Sequence, residues 1–184
     1  AGCAWLAQWQ VDRAAEKREL IERWHERSPV ALARLEAPFS LPQPISGVGI
    51  WQPDRQLLLD NKIRERRTGV FVLTPFMLSD GRLFLVNRGW APWPSRSGRL
   101  PDPDVAQKKH RIRGVLNNPP GTGLQLGESE IRRDNDWPLL ATYFDYQQLI
   151  DLFGDALQPA VVQLDRSHAD HLTGDAWTVA TFGP

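Results

Sequence analysis

The chain has 184 residues, 41% of them hydrophobic and 24% charged, the mixture of one water-soluble globular domain. Lysine plus arginine number 22 and aspartate plus glutamate 22, and this zero net charge argues against a dedicated nucleic-acid binder, whose affinity rests on excess positive charge. One cysteine, Cys3, excludes an intrachain disulfide framework and any Cys-x-x-Cys site, while eight tryptophans, 14 glycines and 15 prolines suit short apolar segments joined by many turns.

The single methionine is Met77, so the chain is expected to be a processed product or a fragment. No window approaches the ~18 uninterrupted apolar residues of a membrane span. Residues 1–7, uncharged and mostly apolar, read as the end of a longer hydrophobic segment. The first predicted element is a helix over residues 5–27, which contains no Gly or Pro and is stopped by Pro29. At helical spacing Trp5, Leu6, Trp9, Leu20, Ile21 and Trp24 share one face, opposite Gln8, Asp12, Glu19, Glu22 and Glu26. Arg13 and Lys17 project from the tryptophan face. This helix, residues 1–27, and a β-rich part, residues 28–184, together make a single domain.

Residues 28–44 carry Pro29, Pro38, Pro42 and Pro44 and read as a linker wrapping over a surface. Strands are predicted over 45–51 and 56–60, on either side of the Pro53-Asp54 turn. The strongest hairpin signal is Ser79-Asp80-Gly81 between 69–78 and 82–90. These two apolar runs do not alternate cleanly, which predicts central strands covered on both faces. Pro75 removes one ladder donor, so a bulge or a local edge is expected there. Residues 91–103 are loop-like, 110–116 a strand, 117–123 a turn-rich segment and 139–142 a short strand. A short helix near 145–153 is well punctuated: Asp145 caps it, Phe144 and Leu149 form a staple, and Gly154 stands at its end. Strands over 160–164 and 177–182 complete the chain. The predicted fold is α+β and mainly β: an antiparallel curled sheet or barrel-like core with a long N-terminal amphipathic helix and one short helix.

No constellation demands an enzyme. Gly121-Thr122-Gly123 lacks the Lys-Ser/Thr of a phosphate loop. His168 and His171, with Asp165 and Asp170, resemble a small metal cluster but lie in a polar loop, so no metal is assigned. No serine sits in a nucleophile elbow, Cys3 lies at a chain end, and His25 and His110 have no carboxylate partner in local sequence. The basic clusters Arg64-Glu65-Arg66-Arg67 and Lys108-Lys109-His110-Arg111 with Arg113 read first as solvated strand ends, and second as contacts for anionic headgroups. For the tryptophan face the first reading is packing on the sheet, with the Arg13 and Lys17 stems along apolar surface. The second is an anion site between aromatic rings, or a helix at a membrane interface.

Leu6-Ala7-Gln8-Trp9-Gln10 followed by Arg13 and Lys17 resembles the opening motif of the Surfeit locus protein 1 family. Leu58-Leu59-Asp60-Asn61, Gly69, Val72-Leu73-Thr74-Pro75-Phe76, Asp80-Gly81 and Leu85-Val86-Asn87-Arg88-Gly89-Trp90 follow that family's core pattern in order. Arg113-Gly114, Pro119-Pro120, Asp136-Trp137-Pro138 and Gln158-Pro159 through Asp165 resemble its later part, with Ala7, Lys62 and Ala91 as mild departures.

The resemblance implies an accessory protein for assembly of haem-copper cytochrome c oxidase that assists haem A insertion into the core subunit. It implies a domain facing the periplasm at the cell inner membrane, or its mitochondrial counterpart, between two membrane spans that flank these residues. The implied partners are the oxidase core subunit, haem A synthase and the membrane through those spans; no nucleic acid is among them. Haem A is the implied ligand of the longer protein. No tight haem site is expected in these residues, because the family's haem-linked histidine belongs to the second span. Trp9, Gln10, Arg13, Lys17, Asn87, Arg88 and Trp90 are the candidates for contact with partner or haem, with no catalytic and no metal residue. A β-barrel carrier or binding module for a small apolar ligand is the alternative, and an oligonucleotide-binding barrel a third, opposed by the zero charge. Arg88 is expected to rest on a carboxylate or on backbone carbonyls if it is structural, and to be exposed beside Trp90 if it meets a partner.

Overall fold

The computed structural model describes residues 28–64, 67–93, 99–119, 131–132, 137–142 and 145–172. Within them lie β1 (Val30–Ala31), β2 (Gln43–Trp51), β3 (Leu57–Arg64), β4 (Arg67–Leu78), β5 (Leu83–Pro92), β6 (Lys109–Asn117), β7 (Ile131–Arg132), β8 (Leu139–Ala141), α1 (Tyr146–Phe153) and β9 (Leu157–Leu164). Short 3-10 turns stand at Leu32–Arg34 and Pro53–Arg55.

The strands form one sheet in the order β1-β2-β6-β9-β5-β4-β3-β8-β7, and a second pairing of β2 with β4 closes β2, β6, β9, β5 and β4 into a ring. The expected antiparallel sheet is therefore corrected to a mixed one: β1–β2, β3–β8 and β5–β9 are parallel. Local turn signals announce hairpins, which are antiparallel. Parallel neighbours are joined through long connections that leave no such mark. The expected long N-terminal helix over 5–27 and the strand over 177–182 lie outside the described residues, and α1 is the only α-helix among those described.

The β4–β5 hairpin forms where Ser-Asp-Gly predicts it, with Met77 opposite Leu83 and Phe76 opposite Phe84. Gly81 takes φ +86°, open to glycine at little cost, and Asp80 accepts from the Arg82 backbone N–H at 3.0 Å. Pro75 sits at a local edge. One side of β4 pairs with β3 up to Leu73 and with β2 from Phe76 onward, and the missing donor falls in the gap between them. Gln52 still donates to the Pro75 carbonyl there at 2.9 Å.

The five-strand ring encloses the main core. Ile45 and Trp51 of β2, Phe76 and Leu78 of β4, Phe84 and Val86 of β5, Ile112 and Leu116 of β6, and Ala160, Val162 and Leu164 of β9 all point into it. Leu32 from the linker closes the interior, with Leu35, Phe39 and Leu41 packed alongside. Arg82 fixes this cover by donating to the Leu32 and Leu35 carbonyls while it is ion-paired with Asp80 at 2.7 Å. On the opposite face of β4, β5 and β9, Leu73, Leu85 and Val161 pack under Leu149 and Phe153 of α1. Asp145 caps α1 by accepting from the Gln147 N–H at 2.9 Å. At its other end the Arg55 guanidinium donates to the Leu152 carbonyl and lies 4.9 Å from the Phe153 ring centroid, a cation set against the negative helix C-terminus.

Candidate functional site

Along β5 the even positions face the ring interior, so Phe84 and Val86 are followed inward by Arg88. Arg88 is 2% exposed, although among the described residues no carboxylate oxygen is hydrogen-bonded to its guanidinium. Its Nε donates to the Asp170 carbonyl at 3.1 Å, Nη1 to Gln56 Oε1 and to the Pro103 carbonyl at 3.1 Å each, and Nη2 to the Asp104 carbonyl at 2.9 Å. Burial pulls the Arg88 pKa down, and the nearby charges of Asp170 and Asp104 oppose that shift. An arginine starts so far above neutrality that the group stays cationic. Thr74 donates to Gln56 Oε1 at 2.7 Å and Gln56 Nε2 donates to Asp102 Oδ1 at 2.7 Å, which fixes the orientation of the amide. One guanidinium thus ties the start of β3, the middle of β4, the loop at residues 102–104 and the segment after β9 to the end of β5. This is the carbonyl-held state expected of a structural arginine.

The neighbouring residues serve the same end. Asn87, 2% exposed, accepts from the Gly89 N–H at 2.9 Å. Gly89 adopts φ +116° with the Leu172 backbone carbonyl against it, a place closed to any Cβ. Leu172 in turn donates its N–H to the Arg88 carbonyl at 2.6 Å. Trp90 is buried and stacks where Gly69 leaves room. Asn87, Arg88 and Trp90 are therefore brought together as internal clamps rather than as an exposed patch. Trp9, Gln10, Arg13 and Lys17 lie outside the described residues.

A second polar cluster adjoins the node. Asp170 Oδ2 accepts from Trp51 Nε1 at 3.1 Å and lies 3.0 Å from His110 Nδ1, while His110 Nε2 faces the Ala106 carbonyl at 3.0 Å. His168 Nδ1 accepts from the Asp170 N–H at 3.1 Å and Nε2 faces the Arg111 carbonyl at 3.0 Å, which requires the Nε2-protonated neutral ring. The 3.7 Å approach of His168 Nδ1 to the Asp170 carboxylate is then not an ion pair. His171 has a buried Nε2, and desolvation, followed by the charge of Arg166, lowers its pKa. Among the described residues no three His, Cys, Asp or Glu side chains are grouped to hold a metal ion. Asp165 of the expected polar loop instead accepts from the N–H and hydroxyl of Ser167. Gln56, Asp102 and Asp104 escaped sequence reasoning, as did the part that Thr74 and Asp170 play at Arg88, because each meets Arg88 or its partners from a remote segment. The solitary arginine inside an apolar strand was the one signal that such partners had to exist.

The ring of strands and its buried guanidinium define a β-scaffold whose central polar groups hold segments together. The chain belongs to the SURF1 family, whose model matches residues 1–182, and that family comprises cytochrome c oxidase assembly factors. No curated protein matches the chain. Among the described residues no helix is long and apolar enough to cross a membrane.

Proposed function

We propose that this protein assists the insertion of haem A into the core subunit of cytochrome c oxidase, as a scaffold at the periplasmic face of the inner membrane. The observation that carries the reading is the family match over residues 1–182. In support of a role without its own iron ligand here, His110 and His168 commit both ring nitrogens to protein groups, the His171 Nε2 is buried, and no histidine lines the exposed groove on β2 and β4. The role falls to recognition of the core subunit and of haem A synthase, with haem held by other parts of the longer protein. Trp9, Gln10, Arg13 and Lys17 are the proposed contact residues, since the Asn-Arg-Gly-Trp block is spent internally. The carrier alternative is disfavoured by the ring interior, which Trp51, Phe76, Phe84 and their neighbours occupy.

Affinity purification of the tagged full-length protein from membranes tests the proposal. The oxidase core subunit should co-purify, and Arg13→Glu should reduce its recovery without lowering the melting temperature. Absence of the core subunit from the wild-type preparation, or an equal loss of stability in the variant, would contradict it.

A further inference from the structure

The outward face of β2, β4 and β6 carries a pattern that the core does not use. Ile50 and Met77 are 43% and 39% exposed, stand opposite each other across the β2–β4 pairing, and belong to none of the three core clusters. On the other side of β2, Ile50 stands opposite Lys109, Val48 opposite Arg111 and Ser46 opposite Arg113. Those three cations alternate along β6 with His110 and Ile112, which turn inward, so they form a row. Two-residue steps of ~6.7 Å give that row a length of about 13 Å.

Ile50, Val48, Met77, Gln52, Lys109 and Arg111 line a groove of about 580 Å³ whose walls contain no carboxylate. Among the described residues no carboxylate pairs with Lys109, Arg111 or Arg113, and Asp80 at the neighbouring hairpin tip is already held by Arg82. Two protruding apolar side chains beside a row of cations that no described carboxylate pairs with call for a partner that is both anionic and apolar. The backbone of β2 has no edge to offer a peptide, since β6 pairs along one side and β1 and β4 occupy the other. A bilayer surface needs no backbone edge and supplies both chemistries at the right depth.

We propose that this face docks on an anionic bilayer surface. Lys109, Arg111 and Arg113 meet the lipid headgroups, and Ile50 and Met77 enter the boundary between headgroups and acyl chains. The ring is thereby held with β2, β4 and β6 toward the membrane.

Co-sedimentation of the 184-residue chain with vesicles tests this. The protein should bind vesicles of phosphatidylglycerol and phosphatidylcholine in equal parts, ignore pure phosphatidylcholine, and be released by salt. At ~1 kcal/mol per cation, the triple variant Lys109→Gln/Arg111→Gln/Arg113→Gln should bind roughly a hundredfold more weakly. The exposed pair Arg34→Gln/Arg99→Gln, which removes charge elsewhere, should change binding far less. Ile50→Ser/Met77→Ser should weaken binding while its salt dependence stays as in the wild type. Circular dichroism and melting temperature confirm that each variant is folded. Failure of the folded wild type to bind, equal binding to pure phosphatidylcholine, or undiminished binding by the triple variant would overturn the proposal. So would binding to a poly-glutamate peptide in place of vesicles, which would make this a site for an acidic protein segment.

Discussion

Replacing Arg88 with leucine tests the node at the end of β5. The change removes the guanidinium donors aimed at Gln56 Oε1 and at the carbonyls of Pro103, Asp104 and Asp170, while the Thr74 hydroxyl still reaches Gln56 Oε1 and Gln56 Nε2 still reaches the Pro103 carbonyl at 3.3 Å. The loop carrying Pro103 and Asp104 lies at the surface and can turn its carbonyls to water, so the loss of the guanidinium costs less than four buried bonds. Gln56 and the segment at Asp170 bear the loss, together with the packing of the Arg88 stem beneath Trp51, whose ring centroid is 6.0 Å from the guanidinium carbon. Hydrogen bonds to a charged group are worth about 1.5–3 kcal/mol each, and the desolvation cost of the removed cation offsets part of their sum, so a net loss of about 3–5 kcal/mol is expected. At roughly 2–4 °C per kcal/mol for a chain of this size, the melting temperature should fall by about 10 °C. Limited proteolysis should show new cleavage near residues 99–106 before the ring itself opens. Arg88→Lys keeps the charge but loses the planar fork, and should fall between wild type and Arg88→Leu. Thermal unfolding followed by circular dichroism is the assay. A shift of less than about 3 °C in Arg88→Leu would refute the reasoning, since it would mean that the cost of burying the cation cancels all of its bonds.

Gly89→Ala should destabilise by at least ~1–2 kcal/mol, because it combines a left-handed backbone with the Leu172 carbonyl in the way, and urea unfolding measures it. Asp145→Ala should cost about 1 kcal/mol by uncapping α1, with no change at the Arg88 node. The pH dependence should show two steps. His171 has a folded pKa below its unfolded value, so the fold favours its neutral form, and stability should decline as pH falls below about 6.5; His171→Gln should flatten that limb. Asp80, whose pKa is lowered chiefly by its hydrogen bond with Arg82, contributes stability above the ordinary carboxylate pKa and loses it as pH falls through the lower folded value. Asp80→Asn should therefore remove part of the acid limb below about pH 4.

What could be read in the sequence was local. Ser79-Asp80-Gly81 announced its hairpin, Asp145 and Gly154 bracketed α1, and Pro75 marked the place where one edge of β4 passes from β3 to β2. The parallel pairing of β5 with β9 was not legible, because nothing in residues 157–164 states which strand they will meet after the helix. The site was half legible for the same reason. A lone arginine in an apolar strand demanded polar partners, but Gln56, residues 102–104 and Asp170 come from segments far apart in the chain. His110 looked unpartnered within its own stretch and is in fact matched by Asp170, at the far end of the described residues.

The central claim is service to cytochrome c oxidase, and the most direct measurement is the reduced-minus-oxidised spectrum of membranes from cells lacking this protein. Most of the haem a signal should be lost with b- and c-type bands retained, and the full-length wild-type protein should restore it while one carrying Arg13→Glu should not. An unchanged haem a band with normal oxidase turnover in those membranes would contradict it.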